Sequence, residues 1–328
     1  MTPTGPPPPR PWREAWHDAL YGPAGFYRES LGPAGHFTTS SHGPAGEVLA
    51  EAMVRLAERE GLTTIVDVGC GRGELLSAIA RIAPDTTRLV GVDVVERPEG
   101  LDDRVRWHRS PGGTGLPAAT GWVDDPARTL VIANEWLDVV PCTIARAGAD
   151  GILRELLVDE DGTESHGAPL TGEDLDWARR WWPAGPDGYP PGARVEIGRS
   201  RDAAFAALLA RFPRGLIVVM DYGHSRATRP EGGSLTGYAN GVQCPPVPDG
   251  RCDLTAHVAT DSLGADSVTT QRAALRDLGV SGARPPIELA RTDPAGYLRA
   301  LARASYAASL TGPGLGDFHW AMARAPRG

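Results

Sequence analysis

The residue types with the most specific chemistry lie in a glycine-rich turn between two predicted elements. The turn follows the β-branched run of residues 63–68, with Asp67 just ahead of it, and precedes a helical pattern. Glycines allow positive φ and close approach of a ligand, and the first amides of a helix are unpaired donors. Asp93 stands 20 residues after the last glycine, at the end of the next predicted strand, where a carboxylate can accept both hydroxyls of a ribose. The three glycines are Gly69, Gly71 and Gly73.

Two cofactor classes fit this turn, and its spacing distinguishes them. Dinucleotide-binding proteins use G-x-G-x-x-G to cradle a pyrophosphate, whereas this turn reads G-x-G-x-G. Asp67 would repel a pyrophosphate but would neutralise a cationic group. S-adenosyl-L-methionine (SAM) carries an amino group and a sulfonium cation, so SAM is favoured, with Asp67, Asp93 and the glycines as its candidate ligands. A nicotinamide-dependent oxidoreductase and a turn kept only for packing are the less favoured alternatives.

A second group of polar side chains follows the fourth predicted strand, residues 129–133. Asn134, Glu135 and Asp138 come soon after it. Ligands of open α/β sheets bind at the carboxyl ends of the strands, so these residues are expected beside the cofactor. Glu135 and Asp138 suit a guanidinium, because a carboxylate binds it with two hydrogen bonds and can accept a proton after methyl transfer. In the alternative reading, Asp138 caps a helical turn and only Glu135 faces the site.

Two later residues are candidates for orienting the acceptor or taking its proton. Asp221 ends another predicted buried strand, and His257 follows the Gly- and Pro-rich segment 222–256. Asp221 could equally be a turn residue before a glycine, and a single histidine is more often structural. Asp253 is predicted to be the N-cap of a helix. The candidate catalytic residues are Glu135, Asp138, Asp221 and His257.

The alternation of strands with helices predicts an α/β fold with a mostly parallel sheet flanked by helices. A disordered Pro-rich tail is expected over residues 1–11 and a helical region over residues 12–62. The main domain is expected over residues 63–328. Insertions are expected in it at about 141–200 and at about 222–256, and the second of these is predicted to be loop.

The composition limits the classes of protein to which the chain can belong. It has 328 residues, a net charge of −8 and no lysine among its 33 basic residues. The acidic balance argues against a nucleic-acid-binding protein with a general basic face. The four cysteines fit no common zinc spacing, so no metal is expected, and no apolar run is long enough to span a membrane. Because no signal-peptide pattern is present, we expect a reduced, cytoplasmic protein; its oligomeric state is left open.

Six segments in the same order resemble the MidA-like methyltransferases, a family that includes the mitochondrial complex I assembly-factor protein arginine methyltransferase. Each segment is weak alone, but six in order are hard to obtain by chance. The resemblance covers about residues 16–323. The segments are residues 20–27, 36–40, 67–73, 134–141, 221–223 with 233–238, and 253–258.

The resemblance implies a class I, Rossmann-like SAM-dependent fold with a helical N-terminal region and insertions that cover the site. It extends the expected cofactor-binding set to Thr39, Ser40 and Asn134. The assembly-factor member is a protein arginine methyltransferase, which agrees with the acidic pair Glu135 and Asp138. His36 stands where the family has Asp, and the stretch after Ser40 also departs from the family, so the acceptor could differ too.

The expected function is SAM-dependent N-methylation of a protein arginine. The first alternative is methylation of a small molecule or peptide, suggested by the altered loop. The second is a non-catalytic assembly factor that uses the same fold. The expected partner is therefore a protein or small-molecule methyl acceptor, with neither nucleic acid nor membrane involved.

Overall fold

The structure is a computed structural model that describes residues 8–28, 41, 43–118 and 121–324. In this part of the chain the helices are α1 (Trp12–Tyr21), α2 (Gly43–Arg59), α3 (Glu74–Ile82), α4 (Gly172–Trp181), α5 (Arg199–Arg211), α6 (Gln271–Asp277), α7 (Ile287–Thr292) and α8 (Pro294–Thr311). The strands are β1 (Arg10–Pro11), β2 (Thr64–Val68), β3 (Arg88–Asp93), β4 (Val105–Arg109), β5 (Thr129–Asn134), β6 (Thr143–Ala147), β7 (Leu153–Val158), β8 (Glu164–Pro169), β9 (Arg194–Ile197), β10 (Leu216–Asp221), β11 (Gly223–His224), β12 (Thr236–Ala239), β13 (Val242–Cys244), β14 (Asp253–Thr255), β15 (Val258–Ala259), β16 (Ser267–Thr270) and β17 (His319–Arg324).

The central sheet has seven strands in the order β16-β17-β10-β5-β2-β3-β4. The five strands from β10 to β4 are parallel, and β17 runs antiparallel to both of its neighbours. Every residue of β2, β5 and β10 is buried, which explains their continuous apolar sequences, since strands covered on both faces need no polar alternation. The carboxyl ends of β2, β3, β5 and β10 therefore meet at one edge.

Helices cover both faces of this sheet, and alternate strand residues point to different helices. Ile65 packs in a cluster with residues of α2, α3, α6 and α8, whereas its neighbour Val66 packs in a cluster with residues of α5. Successive side chains of a strand point to opposite faces of the sheet, so each face buries alternate residues. The predicted α/β fold with helices flanking the sheet is confirmed, and the sheet, predicted as mostly parallel, is mixed because β17 runs antiparallel to its neighbours.

The N-terminal residues belong to a second, antiparallel sheet. Its order is β1-β7-β6-β9, with β8 added on β7. Arg10 pairs with Val158 and Pro11 with Leu157, so the predicted tail is wrong for its last two residues. Pro11 can sit here because β1 is an edge strand, where a missing backbone donor costs no ladder hydrogen bond.

The segment predicted as loop, residues 222–256, contains four short strands. β12 lies between β13 and β14, and β11 pairs with β15. Asp253 opens β14 and pairs with Tyr238, so the predicted helix N-cap at this position is wrong. Strands of two to four residues separated by Gly and Pro leave no usable alternation in the sequence, which is why the pattern indicated loop.

Helices α1 and α2 pack in different parts of the molecule. Trp12 and Trp16 of α1 are buried in a cluster with side chains of β6, β7 and β14. Met53 and Leu56 of α2 are buried against α3, α8 and the central sheet. The N-terminal region therefore packs on the added strands through α1 and on the main sheet and its helices through α2.

Candidate active site

The glycine turn has the backbone conformation that its sequence requires. Gly69, Gly71 and Gly73 have φ of +71°, +60° and +78°, in the left-handed region that favours glycine. A Cβ on Gly69 would lie 3.0 Å from Cδ1 of Trp136, and one on Gly73 would lie 2.8 Å from Cδ1 of Leu101. The turn is therefore held close to the segment that follows β5, and only glycine fits this approach.

Asp93 is hydrogen-bonded directly to the glycine turn. Its Oδ2 accepts the N–H of Gly71 at 2.8 Å, and its Oδ1 accepts those of Val94 at 2.7 Å and Val95 at 3.3 Å. Burial raises the pKa of Asp93 to about 6, although these amides lower it. A carboxylate oxygen has two lone pairs, so Oδ2 can accept a hydroxyl in addition to the Gly71 amide.

Asp67 lies beneath the turn as an almost fully buried carboxyl group. It is 2% exposed, and burial, then Asp93, then Glu74 raise its pKa well above the usual value. An ionised carboxylate in this position needs a cation next to it. The amino group of SAM would supply one, so the residues around the turn fit this cofactor.

These residues line a cleft with about 1130 Å³ of empty space, open solvent at its mouth included. The predicted site residues that line this cleft are Asp67, Gly69, Gly71, Asp93, Asn134, Glu135 and Asp138. Gly73, Asp221 and His257 are not among its lining residues, and Gly73 instead opens helix α3. The predicted Thr39 and Ser40 lie outside the described residues, next to Ser41, which lines the cleft.

Glu135 has an unusual backbone conformation at the end of β5. Its φ is +52°, a region that costs a non-glycine residue about 1–2 kcal/mol. Its N–H donates to the carbonyl of Met220 at 2.8 Å, and the Asn134 amide donates to its Oε1 at 3.1 Å. The strained conformation thus turns Glu135 from the strand into the cleft wall.

Asp138 is buried beside Glu135 and shares its surroundings with the carboxyl group of Asp221. Its Oδ2 accepts the hydroxyl of Thr255 at 2.7 Å, and its carboxyl group also makes a side-chain hydrogen bond with Asp221. Burial raises its pKa. No helix follows Asp138, because the chain turns through Pro141 into β6, so the helix-cap alternative is wrong.

Asp221 is a positioning residue behind the cleft. It is fully buried, and its Oδ2 accepts the N–H of Leu137 at 2.8 Å and that of Asp138 at 3.3 Å. Burial and the nearby Asp138 raise its pKa well above the usual range. Its carboxyl group therefore fixes the segment that carries the two acids and does not reach the cleft itself.

His257 does not line the cleft. Its ring stacks on that of Tyr222, with centroids 5.6 Å apart and planes at 14°. Its backbone N–H donates to Oγ of Ser234 at 2.8 Å. Burial lowers its pKa, so the ring is neutral at pH 7.

Arg201 belongs to the site region, although nothing in the sequence predicted its burial or its contacts there. Its guanidinium is 1% exposed and donates to the carbonyls of Asp138 and His257 at 2.9 Å each and of Val140 at 3.0 Å. It also lies 5.6 Å from the centre of the Trp16 ring. One buried side chain of α5 thereby joins the acidic segment, the His257 segment and α1, and no motif in the sequence indicates this role.

Two tyrosines from the N-terminal region complete the cleft wall. The Tyr27 hydroxyl donates to Oδ1 of Asp253 at 2.6 Å, and the Tyr21 hydroxyl donates to the carbonyl of Val139 at 3.0 Å. Burial raises the pKa of Asp253 well above its usual value. Both tyrosines stand in the first resembling segment, residues 20–27, which was the signal that could have placed them at the site.

The residues that the structure describes offer neither a metal centre nor a membrane-spanning helix. They contain no group of three or more His, Cys, Asp or Glu side chains that could hold a metal ion. In the same residues, no helix combines the length and the apolar character needed to cross a membrane.

Comparisons with known proteins agree with this geometry. Residues 46–277 match a family described as S-adenosyl-L-methionine-dependent methyltransferase. Among curated proteins, none matches the chain. An uncharacterized protein from Burkholderia thailandensis has a crystal structure that superposes with a TM-score of 0.70 at 22% identity, over 97% of this chain and 88% of that one. A second structure from the same organism, bound to S-adenosyl-homocysteine, gives a TM-score of 0.70 at 21% identity, with the same coverage.

The family match and the site lead to one conclusion. The match covers more than half of the chain, and the glycine turn, the buried Asp67 and the amide-bonded Asp93 are groups that would fit SAM. The protein is an enzyme with SAM as its cofactor, as the sequence predicted. The chain belongs to the family of S-adenosyl-L-methionine-dependent methyltransferases, of the MidA-like type.

Proposed function

We propose that the enzyme methylates a guanidinium nitrogen of an arginine in a protein. The observation that carries the proposal is the pair of acids, Glu135 and Asp138, that line the cleft in addition to the acids around the glycine turn. A guanidinium needs carboxylates for binding, and its planar fork matches their geometry. The cleft thus offers one set of acids for the cofactor and another for a cationic acceptor.

The chain's own residues would bind and deprotonate the acceptor. SAM supplies an activated methyl group, so the protein must chiefly orient the nitrogen that receives it. Glu135, held at the cleft wall by Asn134 and Met220, would orient the guanidinium. Asp138 lines the cleft and has a pKa raised by burial, which suits a group that takes a proton during transfer.

The architecture supports a class I assignment for the fold. That class would require a parallel series of strands with one antiparallel strand inserted near its edge. It would also require a glycine turn after the central strand, here β2. The four cysteines are free, which supports the predicted reducing, cytoplasmic location. A relationship to the assembly-factor branch of the MidA-like enzymes is part of the same proposal.

The test is to identify the atom that receives the methyl group. Purified protein would be incubated with methyl-labelled SAM and a lysate depleted of small molecules, or with the small-molecule fraction alone. We expect label in methylarginine after acid hydrolysis of the protein fraction. Label confined to the small-molecule fraction, or to another amino acid, would overturn the proposal in favour of the first alternative.

Two controls keep this experiment interpretable. The Glu135→Gln variant should lose about 100-fold or more of the activity while it binds S-adenosylhomocysteine like the wild type, since the carboxylate acts on the acceptor. A reaction without lysate is needed because the chain contains 33 arginines that could become methylated themselves.

A further inference from the structure

Two aromatic rings form an accessible surface beside Glu135 that the proposed reaction does not yet use. Tyr222, which directly follows β10, is 38% exposed, and its ring stacks on the ring of His257. Beneath it lies the buried ring of Phe318, 4.1 Å away between centroids. We call the exposed side of Tyr222 and His257 the aromatic face.

Hydrogen bonds to the backbone hold both residues of the aromatic face in place. The Tyr222 carbonyl accepts the N–H of Val258 at 2.8 Å. The His257 carbonyl accepts from Arg201, and its backbone N–H donates to the hydroxyl of Ser234. Because the backbone on both sides is fixed, the stacked pair is formed before any ligand binds, which reduces the entropy that binding must offset.

The aromatic face borders the carboxylates of the cleft. Met220, two residues before Tyr222, accepts the N–H of Glu135 and pairs with Asn134 across the sheet. The charges of Glu135 and Asp138 contribute, after burial, to a pKa of Tyr222 that is raised well above its usual value. The Tyr222 ring therefore lies within electrostatic reach of both carboxylates.

This arrangement favours one kind of chemical group. The faces of tyrosine and histidine rings attract cations, and a flat guanidinium stacks on them with little loss of hydration. Glu135 would repel an anion. An apolar group would displace water from the Glu135 carboxylate without offering an opposite charge in exchange. A planar cation satisfies both the rings and the acid.

We propose that the aromatic face is an acceptor subsite on which a guanidinium stacks immediately outside the cleft, beside Glu135. The proposal rests on the proposed function, since it assumes an arginine-containing acceptor. The guanidinium could belong to the target arginine itself or to a second arginine near it. Both sources share the same chemistry, and the experiment separates them.

The test measures binding rather than methyl transfer. Calorimetry on the protein saturated with S-adenosylhomocysteine would use two probes, Nα-acetyl-arginine amide and the peptide acetyl-Arg-Gly-Arg-amide. We expect Tyr222→Leu to weaken the binding of at least one probe about tenfold, and Tyr222→Phe to stay within about twofold of wild type. Equal weakening of both probes assigns the face to the target arginine, and weakening of the peptide alone assigns it to a second arginine.

Matched controls separate loss of the face from loss of the fold. Tyr306 on α8 is 39% exposed, nearly the same as Tyr222, and does not line the cleft, so Tyr306→Leu should leave both affinities unchanged. His257→Asn removes the second ring without disturbing the packing on Phe318 and should also weaken binding. All variants must retain the wild-type affinity for S-adenosylhomocysteine.

Two outcomes would overturn the subsite. One is wild-type probe binding by both Tyr222→Leu and His257→Asn. The other is equal binding of the uncharged citrulline analogue of the first probe. Neither depends on where the methyl label goes, so failure of the subsite is distinguishable from failure of arginine methylation.

Discussion

The two halves of the cleft are built in different ways. On the cofactor side, the turn and the acid that bonds to it, Gly71 and Asp93, stand only 22 residues apart. On the proposed acceptor side, Asp138 bonds to Thr255, which is 117 residues away, and its segment is fixed by Asp221 and Arg201. The first half is a local backbone structure, whereas the second is assembled from four separate segments by polar contacts.

This difference predicts how each half responds to mutation. A local turn should be sensitive to changes in its own backbone and insensitive to distant side chains. An assembled surface should depend on residues that never touch a ligand. Four measurements test this contrast, in order of decreasing expected effect.

The largest effect is expected for Arg201→Met. The change removes three hydrogen bonds to backbone carbonyls and should lower the free energy of unfolding by about 3–5 kcal/mol. Urea denaturation would measure it. Arg179 on α4 has a side chain that is 68% exposed, so Arg179→Met serves as the control and should change stability by less than about 0.5 kcal/mol. Similar values for the two variants would contradict an assembled acceptor side.

The second prediction concerns the cofactor side. Gly69→Ala places a methyl group 3.0 Å from Trp136 at a φ of +71°, so we expect S-adenosylhomocysteine to bind about tenfold to 30-fold more weakly. Isothermal titration would measure the affinity. Gly61 has a φ of +66°, and a Cβ added there would meet nothing within 4 Å, so Gly61→Ala carries similar strain without the contact. Equal loss of affinity in both variants would show that the turn is not a local binding structure.

The third prediction uses the pKa of Asp93. Its raised value of about 6 means that the ionised form, which accepts ribose hydroxyls best, is lost as the pH falls through 6. Affinity for S-adenosylhomocysteine should therefore drop about tenfold between pH 7 and pH 5. The Asp93→Asn variant should bind weakly at both pH values, with little difference between them. A wild-type affinity that is flat over this range would remove Asp93 from the cofactor site.

The same contrast explains what the sequence could predict. The alternating strands and helices, the glycine turn with Asp67 and Asp93, and the position of Glu135 and Asp138 after β5 follow from local patterns, and the structure has them at the expected places. Local patterns suffice there because φ, apolar runs and parallel strand ends are properties of short segments.

The remaining features depend on contacts between distant segments. Nothing near Arg201 in the sequence marks it as buried, since an arginine at the start of a helix is ordinarily exposed. The role of Asp221 in binding two amides, and the packing of Tyr27 against Asp253, require the folded arrangement of residues far apart in the chain. The short strands β11 to β14 have too few residues for any periodic signal.

The smallest expected effect tests whether the acceptor side stores strain. Glu135 and Arg214 are both non-glycine residues in the left-handed region, with φ of +52° and +68°. Glu135→Gly and Arg214→Gly should each raise the free energy of unfolding by about 0.5–1 kcal/mol, because glycine adopts this conformation without a steric penalty. The larger entropy of glycine in the unfolded chain offsets part of this gain. Chemical denaturation and methyl transfer would be measured on both variants. Only the Glu135 variant should lose activity, since Arg214 lies in an exposed turn away from the cleft. If Glu135→Gly destabilises the protein, the fold itself requires the left-handed conformation of Glu135. If the variant is more stable but inactive, the strained conformation of Glu135 serves the binding of the acceptor.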